Sequence, residues 1–186
     1  MSPRISGGSL GSRKVKSPKG LHVRPTPGRV KESLFSILME RIDGARVLDL
    51  FSGTGAIGFE AASRGAAKVV SVEAHRETAQ AIEETAKDLG VDGVVSVFAA
   101  PAERALYRLD EKFDVVYLDP PYANDVPLQL FRLLLERTLL ADGAVVIYEH
   151  AAKTILPEIP GYRSAREEVY GDVALAFLEP VGVRRD

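Results

Sequence analysis

The chain has 186 residues, 46% of them hydrophobic and 27% charged, with a formal net charge of −2, which fits one ordinary globular domain and excludes two full-sized ones. It contains no cysteine, which excludes disulfides and thiol nucleophiles, and its three histidines are too far apart for a metal motif, so we expect no metal. No apolar run is long enough to span a membrane and no signal peptide is recognisable, so we expect a cytoplasmic protein that does not contact membranes.

The N-terminal segment is basic and the rest of the chain is acidic. Residues 1–31 contain eight basic side chains and no acid, which leaves 16 basic and 26 acidic side chains for the remainder. A basic arm on an acidic body is typical of a segment that binds a polyanion, and a solvated tail is the alternative. Glycine and serine surround the apolar Ile5, Leu10 and Val15, which suits a small hairpin or a flexible arm. We assign a basic extension to residues 1–27 and the main domain to residues 28–186.

From Gly28 onward the apolar residues follow the periods of helices and strands. A helical stripe of Val30, Leu34, Ile37 and Leu38 comes first, and short apolar runs then alternate with amphipathic helices, which favours βαβ units and a largely parallel α/β sheet. The predicted strands are 47–51, 68–73, 94–98, 113–118, 144–149, 162–170 and 173–178. The predicted helices among them begin near Ala56, end near Leu89 and Leu109, and run from about Pro127 to Leu139.

The first strand runs into a glycine-rich loop. Gly53, Gly55 and Gly58 fit the G-x-G-x-x-G pattern, and Glu73 lies twenty residues after Gly53, where an acid can bond ribose hydroxyls. A nicotinamide dehydrogenase is therefore one interpretation. Asp49 argues against it, because a carboxylate just before the loop would repel a pyrophosphate. S-adenosylmethionine suits both acids, since it combines a sulfonium and an ammonium with a ribose; the alternative for Asp49 is a turn cap.

The fourth strand ends in Asp119-Pro120-Pro121-Tyr122. The carboxyl ends of parallel strands form the ligand edge of an open α/β sheet, so this tetrapeptide lies where chemistry is expected. The Asp119 carboxylate and the Pro120 carbonyl can both accept hydrogen bonds from one planar NH₂ group, and Tyr122 can stack on the base that carries it. Two acceptors localise the amine lone pair and aim it at a methyl donor. A rigid turn is the alternative interpretation of the same residues.

With these motifs in place, the chain resembles the bacterial 16S ribosomal RNA guanine-N2 methyltransferases, often called the RsmD family. The likeness runs nearly from end to end. It rests on the basic opening Arg4-Ile5-Ser6-Gly7-Gly8, the segment from Arg24-Pro25-Thr26 to Phe35, the glycine loop, the helix 59–66, Glu73 and the tetrapeptide at Asp119. The Arg-Pro-Thr segment and the position of the tetrapeptide are the specific parts, whereas many methyltransferases share the glycine loop.

The resemblance implies a Rossmann-like, class I S-adenosylmethionine-dependent methyltransferase. Its sheet would have seven mostly parallel strands with an antiparallel C-terminal hairpin, and its substrate would be a guanine of 16S rRNA in the small ribosomal subunit or an assembly intermediate. We expect the protein itself to be a monomer. The catalytic residues would be Asp119, Pro120, Pro121 and Tyr122. The cofactor would contact Asp49, Phe51, Ser52, Gly53, Thr54, Gly55, Glu73, Ala74, Ala100 and Ala102. RNA would contact Arg4, Arg13, Lys14, Lys16, Arg24, Thr26 and Arg29.

One departure from the family pattern concerns the adenine ring. The family usually has an Asp or Asn after the third strand whose side chain bonds the adenine amino group, whereas this chain has alanines at 99, 100 and 102. Backbone groups near Ala100 and Ala102 are then the expected contacts, and the missing hydrogen bond is worth about 0.5 to 1.5 kcal/mol.

Two other functions fit part of the pattern. The tetrapeptide geometry also serves an enzyme that methylates DNA adenine or a protein glutamine amide, although residues 123–143 are too short for a DNA-recognition domain and the basic head favours nucleic acid over protein. A non-catalytic RNA-binding or assembly factor is the alternative from another class, and the intact tetrapeptide argues against it.

Overall fold

The fold is known from a computed structural model, which describes residues 3–16, 27–121 and 126–182. In this part of the chain the strands are β1 Arg46–Leu50, β2 Lys68–Glu73, β3 Val95–Ala99, β4 Phe113–Leu118, β5 Leu140–Ala151, β6 Tyr162–Tyr170 and β7 Val173–Pro180. The helices are α1 Gly28–Ile37, α2 Met39–Ile42, α3 Ala56–Ser63, α4 Arg76–Leu89, α5 Ala102–Arg108 and α6 Leu128–Glu136.

The strands form one seven-stranded sheet in the order β3-β2-β1-β4-β5-β7-β6. The five strands from β3 to β5 pair in parallel, and β7 pairs antiparallel with both β5 and β6. The strand order reverses between β1 and β4, which is the switch point where open α/β sheets bind ligands. The predicted α/β class, the seven strands and the antiparallel C-terminal hairpin are confirmed.

Each face of the sheet is covered by its own set of helices. Helices α1, α3 and α4 pack against one face around Val47, Val115 and Ile147, whereas α5 and α6 pack against the other around Leu48, Val116 and Val146. Because successive strand residues point to opposite faces, the central strands are apolar at nearly every position. This burial on both faces explains why the sequence shows continuous apolar runs there instead of alternation.

The largest errors of the sequence prediction lie around β5. The sixth helix, expected to reach Leu139, ends at Glu136, since Thr138 adopts a left-handed φ of 52° and turns the chain into the next strand. That strand begins at Leu140 instead of Ala144, and its pairing with β4 is irregular between Phe113 and Val115. The short helix α2 was not predicted, because four residues are too few to show a helical period.

The N-terminal residues 3–16 form a small hairpin that is packed on the main domain. An antiparallel bridge joins Arg4 to Lys14, and backbone hydrogen bonds link Ile5 to Arg13 and Ser12 back to Ile5. Ile5 and Val15 are buried in the core beside α1 and α3, so two of the apolar positions noted in the sequence anchor the hairpin. Within the described residues, no helix is long and apolar enough to cross a membrane.

Candidate active site

The candidate site lies at the carboxyl edge of the sheet, where β1, β2, β4 and β5 end side by side. In the sheet register Asp49 lies between Ser71 of β2 and Tyr117 of β4, and Leu50 lies opposite Leu118. The next residue of β4 after Leu118 is Asp119. The topology therefore brings the glycine loop after β1 next to the segment that begins at Asp119 after β4.

The glycine loop turns sharply through left-handed backbone conformations. Phe51, Gly53 and Gly55 have φ values of 64°, 54° and 76°, which a non-glycine residue such as Phe51 rarely adopts. A Cβ on Gly55 would lie 2.9 Å from Phe59 Cε2, so both the conformation and the space at this position require glycine. The strained turn explains why β1 ends at Leu50 and not at Phe51.

Glu73 braces this loop from the end of β2. Its Oε2 accepts a hydrogen bond from the Gly53 amide at 2.9 Å, and its Oε1 accepts one from the His75 amide at 2.8 Å. Glu73 is buried, while Ala74 beside it is exposed at the rim of the site. A carboxylate has about four lone-pair sites, so Glu73 has acceptor capacity for ribose hydroxyls as well.

Asp49 is a buried carboxyl group at the end of β1. Its side chain is on the face covered by α3, and its Oδ2 has no hydrogen-bond partner among the described residues. Burial raises the pKa of Asp49 to about 7; polar groups of Ser52 and Gly58 oppose the rise, and the charge of Glu73 adds to it. A buried, unpaired carboxyl oxygen is costly unless a cation or donor approaches it, which fits the predicted cationic ligand.

Helix α3, which follows the glycine loop, has a glycine at position 58 that leaves room for the Asp49 side chain. A Cβ on Gly58 would meet Ser71 Oγ at 2.8 Å and would lie 3.6 Å from Asp49 Oδ2. Thr54 is buried in the loop, and the Ser52 hydroxyl donates to the Asp49 backbone carbonyl at 2.7 Å. The loop residues predicted to contact the cofactor thus surround one side of the same edge.

The segment after β3 has backbone groups where the family pattern has an Asp or Asn. Ala100 is buried and its amide donates to the Phe98 carbonyl at 3.0 Å, so this N–H already has a partner. Ala102 is also buried and is the first residue of α5, where the backbone N–H has no carbonyl within its own helix to bond. Of the two predicted backbone contacts, Ala102 is therefore the better placed donor.

Asp119 and Pro120 are half-buried directly beyond β4, and Pro121 is exposed. Tyr148 of β5 lies opposite Leu118 in the register, and its buried hydroxyl has no hydrogen-bond partner in the described part of the chain. Burial, and after it the negative charge of Asp119, raises the pKa of Tyr148. Tyr122, the predicted stacking residue, lies outside the described residues.

Sequence reasoning missed a second carboxylate at this edge. Glu149 is buried near the end of β5, and the buried Tyr117 hydroxyl donates a hydrogen bond to its Oε2. The signal was present, since an acid that directly follows the apolar run 144–148 is unusual in a strand buried on both faces. Neither residue was singled out because no short motif contains them.

Another missed residue, Glu60 of α3, holds the N-terminal hairpin in place. Its carboxylate accepts hydrogen bonds from Ser6 N and Ser6 Oγ, both at 2.8 Å, and from Gly7 N at 3.0 Å. Lys31 of α1 and Arg64 form ion pairs with it at 2.7 Å and 2.9 Å. Burial alone would raise the pKa of Glu60, but the hydrogen bonds from Lys31 and Ser6 and the charge of Lys31 outweigh it and lower the pKa.

Most of the predicted RNA-binding side chains that the structure describes point into solvent. Arg4, Arg13, Lys14 and Arg29 are exposed, and Lys16, also exposed, forms an ion pair with Asp88 at the end of α4. Arg24 and Thr26 fall outside the described residues. Over the described ranges, no group of three or more His, Asp or Glu side chains is arranged to hold a metal ion.

The fold and this site together define an S-adenosylmethionine-dependent methyltransferase. The chain belongs to the family described as "Conserved hypothetical protein 95", whose model matches residues 3–179.

Relatives with similar sequences are rRNA methyltransferases. The chain is 35% identical over 177 residues to "Ribosomal RNA small subunit methyltransferase D" of Escherichia coli, covering 95% of this chain and 89% of the relative. It is 33% identical over 183 residues to "Putative rRNA methyltransferase YlbH" of Bacillus subtilis, covering 96% and 100%. The solved structure of "Putative methyltransferase yhhF" from Escherichia coli superposes with a TM-score of 0.86 at 31% identity, covering 95% of this chain and 97% of that one.

Proposed function

We propose that this protein methylates the exocyclic N2 amine of a guanine in 16S rRNA, using S-adenosylmethionine as the methyl donor. The observation that carries the proposal is the position of Asp119 and Pro120 immediately beyond β4, beside the buried Asp49 at the end of β1. Hydrogen-bond acceptors for the amine and a carboxyl group suited to a cationic methyl donor thus lie at the ends of neighbouring strands. The 35% identity to a small-subunit rRNA methyltransferase supports RNA over other substrates that carry a planar amine.

The residues of the edge divide into a donor side, which would bind the methyl donor S-adenosylmethionine, and an acceptor side, which would bind the guanine that accepts the methyl group. S-adenosylmethionine supplies an electrophilic methyl group on a positively charged sulfur. Asp49 would pair with its positive charge, Glu73 would accept from its ribose, and the amide of Ala102 would approach its adenine. Phe51, Ser52, Gly53, Thr54, Gly55, Ala74 and Ala100 would complete this side.

On the acceptor side, Asp119 and the Pro120 carbonyl would each accept one N–H of the guanine amine. This pairing localises the nitrogen lone pair, which is otherwise delocalised into the ring, and directs it toward the methyl group. After transfer the nitrogen loses one proton, and Asp119 or water can accept it. Tyr122 would hold the extruded base by stacking, with Pro121 fixing the turn between them.

The basic extension would hold the RNA. We assign it to residues 1–27, ahead of the methyltransferase domain of residues 28–186, with Arg4, Arg13, Lys14, Lys16, Arg24, Thr26 and Arg29 as its RNA contacts. Phosphate contacts from lysine and arginine supply much of the affinity for RNA but little sequence specificity. The partner would be the small subunit or its assembly intermediate, and the enzyme would act as a monomer in the cytoplasm.

The test is to identify the methylated atom. Small subunits and naked 16S rRNA from a strain that lacks this gene would be incubated with the protein and isotopically labelled cofactor, digested and analysed by mass spectrometry. The proposal predicts N2-methylguanosine at a single position. Methyl label on adenine N6 or on a protein glutamine would replace the proposal with the broader amino-methyltransferase, and RNA binding without label would favour an assembly factor.

A further inference from the structure

The carboxyl edge contains a second carboxylate that the proposed reaction does not use. Glu149 is only 8% exposed and accepts a hydrogen bond from the hydroxyl of Tyr117, which is 2% exposed. β4 and β5 are parallel, and their last registered pair is Leu118 with Tyr148. Asp119 and Glu149 are therefore the next residues of two neighbouring strands, which lie about 4.8 Å apart.

The alternation of side chains places Glu149 on the same face of the sheet as Asp49. Asp49 and Tyr117 are registered with each other, and Tyr117 is registered with Ile147 of β5. Registered residues of parallel strands point to the same face, and residues two apart on one strand do so as well. Glu149 thus shares the face of Asp49 and Tyr117.

A carboxylate in a buried strand has a desolvation cost that an apolar residue would not have. The Tyr117 hydroxyl donates a hydrogen bond to Glu149 Oε2 and restricts the orientation of its carboxylate. A carboxylate oriented in this way can accept a donor from the base that must bind at the same edge, which indicates a role in binding.

The donor pattern of guanine matches two neighbouring carboxylates. On its Watson–Crick edge the N1–H lies next to the N2 amine, so a base whose amine is held at Asp119 presents a second donor close by. Adenine has a lone pair at N1 where guanine has a hydrogen. A carboxylate would repel that lone pair. We infer that Glu149, oriented by Tyr117, accepts the N1–H of the target guanine and so selects guanine over other purines; this rests on the proposed function.

The experiment compares two purines that share the reacting amine. 2-Aminopurine keeps the exocyclic 2-amine of guanine but has no hydrogen at N1. Small subunits reconstituted with 16S rRNA that carries guanine or 2-aminopurine at the mapped position would be the two substrates. 2-Aminopurine also lacks the O6 of guanine. The change in the ratio of their kcat/KM values between the native protein and a variant therefore measures recognition of the N1–H, because the contributions of O6 and of intrinsic amine reactivity cancel.

The native protein is expected to prefer guanine by about 1,000-fold or more, since sites built around a donor reject analogues that lack it. Glu149→Gln should lower kcat/KM for guanine by about 100-fold, reduce the preference to about 10-fold and leave cofactor affinity unchanged. The glutamine side chain can donate to the unprotonated N1 of 2-aminopurine, which narrows the preference further. Glu149→Asp should restore part of it.

Two further variants keep the test decisive. Tyr117→Phe retains the carboxylate but removes the hydroxyl that orients it, and should reduce the preference by about 10-fold even where Glu149→Gln fails to fold. Glu111→Gln removes a carboxylate that pairs with Lys68 at 2.8 Å near the opposite end of the strands, and should change nothing. An unchanged preference in folded Glu149→Gln, or in Tyr117→Phe, overturns the inference. A native protein that leaves guanine N2 unmethylated overturns the proposed function itself.

Discussion

Asp49 has an environment that makes cofactor binding depend on pH. Its carboxyl group is fully buried, its pKa is raised to about 7, and its Oδ2 lacks a hydrogen-bond partner in the described structure. The group is therefore about half protonated near neutral pH before a ligand binds. A cationic ligand favours the ionised form, so binding releases the proton and strengthens as pH rises through the pKa.

We predict that the dissociation constant for S-adenosylmethionine falls about tenfold between about pH 6 and about pH 8. The ionised fraction of a group with a pKa of about 7 rises roughly tenfold over that interval. Asp49→Asn should bind more weakly and show a nearly flat profile, measured by calorimetry. The exposed Asp142 provides a matched control, Asp142→Asn, which should keep the native slope. An identical slope in Asp49→Asn would show that another group is responsible.

Individual residues were predictable where a short motif held them together. Asp49, the glycines, Glu73 and Asp119 follow directly from the spacing of loops and strands, and the structure brings them to one edge. Glu149 and Glu60 were not predictable in the same way, because their partners Tyr117, Lys31 and Ser6 are distant in sequence. The packing of α1, α3 and the hairpin explains the buried Glu60, and the neighbouring strand β4 supplies the Tyr117 hydroxyl that bonds Glu149.

The hairpin of residues 3–16 is a docked element and not a loose tail. Glu60 accepts from two of its backbone amides and from the Ser6 hydroxyl, while Ser63 Oγ accepts from the Leu10 amide at 2.9 Å. Lys31 neutralises Glu60, and both side chains are almost fully buried. This arrangement fixes the exposed basic side chains of the hairpin relative to the main domain.

Loss of the contacts that dock the hairpin should raise KM for the RNA substrate more than it weakens cofactor binding. Glu60→Gln leaves Lys31 buried without its counter-charge, so the free energy of unfolding should fall by about 3 kcal/mol or more, measured by denaturant titration. KM for small subunits should rise several-fold, while the cofactor dissociation constant stays within about twofold.

A double substitution separates two effects of Glu60→Gln: the unpaired charge left on Lys31, and the loss of the carboxylate contacts with the hairpin. Lys31→Met together with Glu60→Gln removes both charges, and should regain most of the stability without restoring the hairpin's carboxylate contacts. The high KM should therefore persist in the double variant. A native KM in either variant would mean that the docking of the hairpin is unrelated to RNA binding.

The molecule as a whole separates its charges, with a net positive charge in residues 1–31 and an acidic excess elsewhere. Long-range repulsion between the acidic body and RNA would leave the N-terminal segment as the attractive surface. Lys16 pairs with Asp88, and Lys31 is buried against Glu60, so the attraction depends on the remaining exposed arginines and lysines.

Neutralising Arg13, Lys14 and Lys16 together should weaken RNA binding and reduce its dependence on salt. Removing one interaction between a basic side chain and a phosphate lowers the slope of log affinity against log salt by about 0.7 to 0.9, so the slope should fall by about 2. The exposed Arg108, Lys112 and Arg137 lie at or near the ends of α5 and α6, which cover the other face of the sheet, and they form a control set with the same change in net charge. Equal effects of both sets on binding would mean that net charge alone matters.

The α/β class, all seven strands and the antiparallel pair at the C-terminus could be predicted from periodicity together with the family resemblance. The boundaries around β5 could not, because the left-handed Thr138 and the irregular pairing at Phe113 depend on contacts between α6, β4 and β5. Whether the head is a hairpin or a flexible arm was equally undetermined, since the Glu60 contacts that dock it cross more than fifty positions in sequence.

The most direct test of methyl transfer to an amine held beyond β4 is the single-turnover rate of Asp119→Ala with saturating cofactor and unmethylated small subunits. Removal of one of two amine acceptors should lower the rate by about 10² to 10³, and the cofactor dissociation constant should stay within about twofold. Asp119→Asn, which keeps one acceptor oxygen, should fall between the native protein and Asp119→Ala. A rate equal to that of the native protein in Asp119→Ala would contradict the assignment of this edge as the site of methyl transfer.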